Sequence, residues 1–391
     1  MISRRIRICL FFFTCLLVVG VVPIYGTDPA AELPFDVDAL SAVLMDAETG
    51  EILYAKNPDE ALPPASVTNL MTLLLVMEAI DSGQILMSDM VSVSENAASM
   101  GGSQVYLEPG EVMSVEDLIK CVVIASANDA ACALAEYVAG SEAAFVEMMN
   151  VRAAELGMEN AHFENTNGLD DTVKNHVMSA RDIAIMSRAL LSHEKIMEYT
   201  TIWQDTIRGG AFTLTNTNRL VRFYPGATGL KTGSTSKALF CISASAKRNG
   251  MHLIAVVMGS PTRDIRNAEA KKLLDLGFAS YASYKTDGEE LPRMSVQGGK
   301  SDDVGLRIAP ISLLLEKGKE KRVEVKISLP DTLCAPILTD KPIGYAEYSV
   351  DGVVVGKADI LATEEVQKIS YRDLLYRLFC KTIGAFPSIT D

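Results

Sequence analysis

Three groups of residues in this chain could carry out covalent serine chemistry together: Ser66 behind Pro63-Pro64-Ala65, then Ser126-Ala127-Asn128, then Lys231-Thr232-Gly233. A serine at the start of a helix lies near the positive end of the helix dipole, and its own N–H can help hold an oxyanion. The residue three positions on lies one turn further along the same face, where a base could take the hydroxyl proton. That residue is Asn69. A carboxamide donates and accepts hydrogen bonds but cannot hold the proton that leaves a serine. A second serine and an asparagine one residue apart can relay a proton and grip a substrate amide. Lys-Thr-Gly on a strand edge offers positive charge for a carboxylate, a hydroxyl donor and a glycine that permits close approach. Each group alone arises easily by chance, but the three in this order fit an acyl-enzyme mechanism.

No near neighbour in sequence replaces a base at position 69. Between Lys56 and Lys120 there is no lysine, arginine or histidine. Lys56 precedes the Pro-Pro turn on a predicted strand and is expected to point away from the helix start. Lys231 acting through Ser126 is the other route open to the proton.

The elements that must position these residues read as a mixture of strands and amphipathic helices over 36–283. Ala39–Asp46 and Glu51–Ala55 predict a hairpin around Glu48-Thr49-Gly50. Ser66–Asp81 predicts a helix that is apolar almost all round, hence central and buried. Val115–Ala139, Glu142–Leu156 and Ser179–His193 carry helical periodicity, as does Arg266–Leu276. Leu239–Ala246 and His252–Met258 are apolar and β-branched, like paired central strands. Over 291–362 short alternating segments predict a small all-β domain, with a tight turn at Asp351-Gly352. The tail, 364–386, returns to helical period. Ile369, Leu374, Leu375, Leu378, Phe379 and Ile383 share one face there, opposite Lys368, Arg372, Arg377 and Lys381. Such a basic amphipathic helix is expected to lie on an anionic membrane surface.

The flanking text strengthens the motifs. Pro63–Thr72, Gly101–Gly110, Ser126–Leu134, Phe163–Asp170, Ser179–Asp182 and Gly229–Ser245 together make the chain resemble the low-molecular-mass penicillin-binding proteins of the serine D-Ala-D-Ala carboxypeptidase type, the peptidase S11 family. The likeness runs from about Ala39 to Phe278, and the later β segments and the tail suit the same family. The resemblance implies an α+β fold: a penicillin-binding, β-lactamase-like domain with an antiparallel sheet flanked by helices, followed by the small all-β domain. It implies Ser66 as the acyl-forming nucleophile, Ser126 and Asn128 as the second motif, and Lys231, Thr232 and Gly233 as the third. The N–H groups of Ser66 and Ser234 would form the oxyanion hole, and Arg266 is a candidate for holding a terminal carboxylate. Asn69 stands where the family has its Ser-x-x-Lys lysine. Substrates would be peptidoglycan stem peptides ending in D-Ala-D-Ala, with β-lactams as acylating ligands and no cofactor.

Composition bounds the rest. Net charge is −14, and no basic block exists, so nucleic acid is a poor partner. Arg4, Arg5 and Arg7 followed by the uncharged run Ile8–Gly26 predict a secretory leader over 1–26; a retained anchor is the alternative. The protein is then expected outside the cytoplasmic membrane and peripherally attached to it. Cys121, Cys132, Cys241, Cys334 and Cys380 are widely spaced in apolar contexts and are expected to be buried free thiols; no metal site is expected. Three readings compete: a D-Ala-D-Ala carboxypeptidase, weakened by Asn69; a non-catalytic stem-peptide or β-lactam binding protein; and a β-lactamase. The last needs a deacylating carboxylate that the sequence between the second and third motifs does not offer.

Overall fold

The structure, a computed structural model, describes residues 36–171 and 173–382. The expected leader over 1–26 and the last residues of the tail lie outside them.

The hairpin forms as β1 (Ser41–Asp46) and β2 (Ile52–Lys56). The Asp46 carboxylate closes its turn, accepting from the Thr49 N–H and hydroxyl at 2.9 Å each. Lys56 donates to Val37 O at 2.7 Å, away from the cleft described below. The predicted central helix begins as a tight turn over Ala65–Thr68 and becomes α1 (Asn69–Asp81). Ten of the thirteen residues of α1 are buried, as expected for a helix that is apolar all round.

The periodic stretch 115–139 is not one helix. It runs as α2 (Val115–Lys120), a π-helical turn over Cys121–Ala125, Ser126 at φ +63°, extended Ala127, and α3 (Asn128–Ala139). Tertiary partners impose the break: the Thr217 N–H bonds Ile124 O at 3.1 Å and the Asn128 N–H bonds Ser103 O at 2.8 Å. Local periodicity cannot register such contacts. Next come α4 (Glu142–Glu155) and α5 (Ala180–Leu191), the latter opened by a capping box of Ser179 and Asp182.

A hairpin of β3 (Gln204–Ile207) and β4 (Phe212–Thr215) precedes three long strands: β5 (Ala227–Thr235), β6 (Leu239–Arg248) and β7 (Met251–Ser260). With the first hairpin they form an antiparallel sheet in the order β2-β1-β7-β6-β5. Helices α1 and α5 pack on it, and α6 (Arg263–Ser280) packs against β6 and β7. Burial by helices explains why β6 and β7 read as continuous apolar runs rather than alternating ones. The motif strand β5 is the sheet's edge.

Farther along, Tyr281–Thr286 pairs with Ile311–Glu316. Six strands then form a second sheet, with Val323–Ser328 at one edge and the short Leu333–Cys334 at the other. The turn at Asp351-Gly352 has φ +51° and +80°, the two positive values that a two-residue primed hairpin turn needs. Residues 366–369 bond to this sheet's loops, so the tail helix begins only at α7 (Tyr371–Thr382), capped by the Ser370 hydroxyl and the Asp373 carboxylate. Four of the five expected buried thiols are buried; Cys334 is exposed, because its strand is a two-residue edge whose other residue, Leu333, fills the core.

Candidate active site

Ser66, Ser126, Thr232, Gly233, Ser234 and Arg266 line one cleft of about 600 Å³. Residues far apart in sequence meet there because the edge strand β5 lies against the turn that carries Ser66. Gly233 enforces that approach: a Cβ on it would stand 2.8 Å from both Pro64 O and the Ser66 nitrogen. The turn is held from the other side by Gly168, at φ +81°, where a Cβ would fall 1.9 Å from Ala65 O. Gly233 is therefore required by contact alone, and Gly168 by contact and by its positive φ.

Lys231 is almost wholly buried, at 1 % exposure. Its ammonium donates to Ser126 Oγ at 2.6 Å and to Thr232 O at 2.9 Å. Burial, with the guanidinium of Arg266 nearby, lowers its pKa from an ordinary value near 10.5 to about 7. A lysine tuned this way holds or releases a proton near neutral pH.

Arg266 is 2 % exposed, and its hydrogen bonds run to neutral atoms: Asn267 Oδ1 at 2.9 and 3.1 Å and Cys241 O at 3.4 Å. Desolvation first, then neighbouring Arg263, brings its pKa down to about 10. Arg219 and Arg263 line the same cleft. A buried guanidinium flanked by two more cations favours an anionic ligand.

Asn69 is fully buried, and neither its Oδ1 nor its Nδ2 has a hydrogen-bond partner. Asn128 donates from Nδ2 to Gly101 O at 2.8 Å, while its Oδ1 lacks a protein partner. The histidine nearest to the nucleophile's turn is His176. Its Nδ1 accepts from the Glu164 N–H at 3.0 Å, and its Nε2 lies 2.8 Å from Thr68 Oγ1, which itself donates to Ala65 O. The ring is therefore the neutral Nε2–H tautomer, and burial lowers its pKa to about 4. It braces the turn and has no free lone pair with which to serve Ser66.

The structure thus brings Ser66, Ser126, Lys231, Thr232, Gly233, Ser234 and Arg266 together, with Asn69 and Asn128 buried in the elements behind. Sequence reasoning passed over Arg219, Arg263, Ser103, Trp203 and Phe223 as cleft residues. Ser103 lies inside the quoted stretch Gly101–Gly110, so its signal was available; the arginines and aromatics carry no spacing that marks them.

A family profile described as D-alanyl-D-alanine carboxypeptidase matches residues 27–262, and a second, described as the C-terminal domain of penicillin-binding protein 5, matches 281–368. D-alanyl-D-alanine carboxypeptidase DacF of Bacillus subtilis is 44 % identical over 348 residues, covering 87 % of this chain and 89 % of that one. DacC of Escherichia coli is 33 % identical, covering 88 % of each. Penicillin-binding protein 5 from Haemophilus influenzae superposes with a TM-score of 0.76 at 34 % identity, covering 86 % of this chain and 99 % of its own. Penicillin-binding protein D2 from Listeria monocytogenes, in an ampicillin-bound form, gives 0.58 at 32 % identity over 63 % of this chain and 99 % of its own.

Proposed function

The chain belongs to the D-alanyl-D-alanine carboxypeptidase family, and from that premise we propose that it is a serine D-Ala-D-Ala carboxypeptidase of peptidoglycan metabolism whose proton route has moved from position 69 to Lys231. The observation that carries this is the buried Lys231 ammonium, 2.6 Å from Ser126 Oγ, with its pKa brought to about 7. In the neutral amine the direction of that bond reverses: Ser126 donates to Nζ and can accept from Ser66. Ser66 Oγ attacks the penultimate D-Ala carbonyl carbon, and its proton passes through Ser126 to Lys231 Nζ. The Ser66 and Ser234 N–H groups hold the oxyanion. The proton returns to the leaving nitrogen as the C–N bond breaks, D-Ala departs, and water hydrolyses the ester by the same relay. Arg266 and Thr232 would take the terminal carboxylate, and Asn128 Oδ1 a substrate amide N–H. β-Lactams would acylate Ser66 in the same way.

Asn69 favours a second reading, because the carboxamide leaves no base one turn beyond the nucleophile. On that reading the cleft binds stem peptides without turning them over. Incubating the protein with a fluorescent penicillin and with a D-Ala-D-Ala peptide, beside an Asn69→Lys variant, separates the two. Labelling and D-Ala release by the unmodified chain support catalysis. Labelling only after lysine is restored supports binding. No labelling of either form removes the site assignment.

We propose further that the protein works outside the cytoplasmic membrane after export, held to the membrane surface by α7. Supporting this, Leu378 and Phe379 are 56 % and 63 % exposed while Arg377 turns back to bond Asp302 at 3.1 Å. The apolar face is thus left open instead of packing on the second sheet. Among the described residues no helix is long and apolar enough to cross a membrane.

A further inference from the structure

We infer that Arg208 is a positioning residue, one that holds the cleft wall carrying Ser103 in its substrate-binding shape; the inference rests on the reading of the cleft given above. Residues 101–107 cross the second motif as a loop with no helix or strand of its own, so its backbone groups need partners from elsewhere. From the buried side, the Asn128 N–H and Nδ2 donate to Ser103 O and Gly101 O, both at 2.8 Å. The Asp129 carboxylate accepts from the Val105 and Leu107 N–H groups at 3.1 and 3.0 Å. From the outer side Arg208 supplies the opposite charge to the opposite groups. Its Nη1 donates to Val105 O at 2.9 Å and its Nη2 to Tyr106 O at 3.1 Å. The same guanidinium forks onto Glu111 at 2.7 and 3.0 Å, which fixes its plane.

Arg208 reaches this position from the tip of the β3–β4 hairpin at φ +53°, followed by Gly209 and Gly210 at +63° and +96°. A bulky residue stays in the left-handed region only where its surroundings over-determine it. The hairpin touches the other two motifs as well. Just past β4, the Thr217 N–H bonds Ile124 O at 3.1 Å, two residues before Ser126, and the Thr217 hydroxyl accepts from Thr232 Oγ1 at 2.8 Å. Arg208 therefore ties the Ser103 wall to the piece of chain that braces both Ser126 and Thr232. Nothing in this role involves contact with substrate.

The test uses the full chain in a Ser66→Ala background, so that binding is read without turnover. Trp203, the chain's one tryptophan, lines the cleft and reports binding by its fluorescence. In that background Arg208→Ala should raise the dissociation constant for a D-Ala-D-Ala peptide by about 10- to 100-fold, the worth of the charge-assisted hydrogen bonds that hold the wall. Amide exchange at Val105 and Leu107 should accelerate while α1 stays protected. Arg208→Lys keeps the charge but not the fork, and should recover only part of the affinity. Glu111→Gln keeps the size and should fall between the parent and Arg208→Ala. Unchanged affinity in Arg208→Ala, or a lower melting temperature with an unchanged dissociation constant for the folded fraction, overturns the inference. If the Ser66→Ala parent binds no peptide at all, the cleft reading itself fails and the inference falls with it. Binding by the parent and all three variants alike sinks only the role of Arg208.

Discussion

The proton route proposed through Lys231 makes a quantitative demand on pH. If Lys231 Nζ takes the proton from Ser66 through Ser126, acylation needs the neutral amine, whose fraction falls tenfold for each pH unit below about 7. The second-order rate constant for acylation by a fluorescent penicillin should plateau above pH 8, pass its midpoint near 7, and at pH 5 stand at about one-hundredth of the plateau. Lys231→Met, which keeps length and packing, should lower the plateau by about 10²–10⁴-fold. The same lysine makes a stability prediction with a definite sign. Between pH 7 and 10.5 the folded chain binds fewer protons here than the unfolded chain, so folding weakens as pH falls through that window and the penalty is complete below 7. At 1.36 kcal/mol per decade of proton affinity, the penalty is on the order of 5 kcal/mol. Urea unfolding of Lys231→Met against the parent should therefore show a difference that shifts toward the variant by up to about that amount from pH 10 to pH 6. Hydrogen bonds to Ser126 and Thr232 O enter as a pH-independent offset. An acylation rate that is flat from pH 5 to 9, or a midpoint near 10, would refute the reasoning, as would an equally fast Lys231→Met.

Asn69→Leu replaces a buried carboxamide without partners by an apolar side chain of similar shape. It should stabilise the fold by about 1–3 kcal/mol in urea unfolding and leave penicillin labelling within a few-fold of the parent; a large loss of labelling would mean that Asn69 itself takes part. Gly168→Ala sets a Cβ against Ala65 O at positive φ, and should cost at least about 3 kcal/mol together with most labelling. Arg266→Met should raise KM for a D-Ala-D-Ala peptide by about 10- to 100-fold, the worth of a charged hydrogen bond to a carboxylate, and affect a substrate amidated at its C terminus far less. Leu378→Glu combined with Phe379→Glu should abolish sedimentation with anionic phospholipid vesicles and leave penicillin labelling intact.

Much of this protein was legible before any fold was known. The three motifs, the hairpin at its start, the central helix and the primed turn at Asp351-Gly352 follow from local chemistry: a residue type at a fixed spacing, a period, a backbone angle. The consequence of Asn69 was legible too, since a carboxamide cannot act as a base whatever surrounds it. Contacts that join distant segments decided the rest. The stretch 115–139 carries one helical period, yet Ser103 and Thr217 pull it open, and the opening puts Ser126 at φ +63° beside Lys231. The proton affinity of Lys231 depends on burial and on the guanidinium of Arg266, two properties that no neighbour in sequence supplies. The arginines lining the cleft and the role of Arg208 likewise exist only once strands and loops are packed. Sequence spacing fixes which groups can react, whereas desolvation and the fields of distant charges set how they do so, and these act through space.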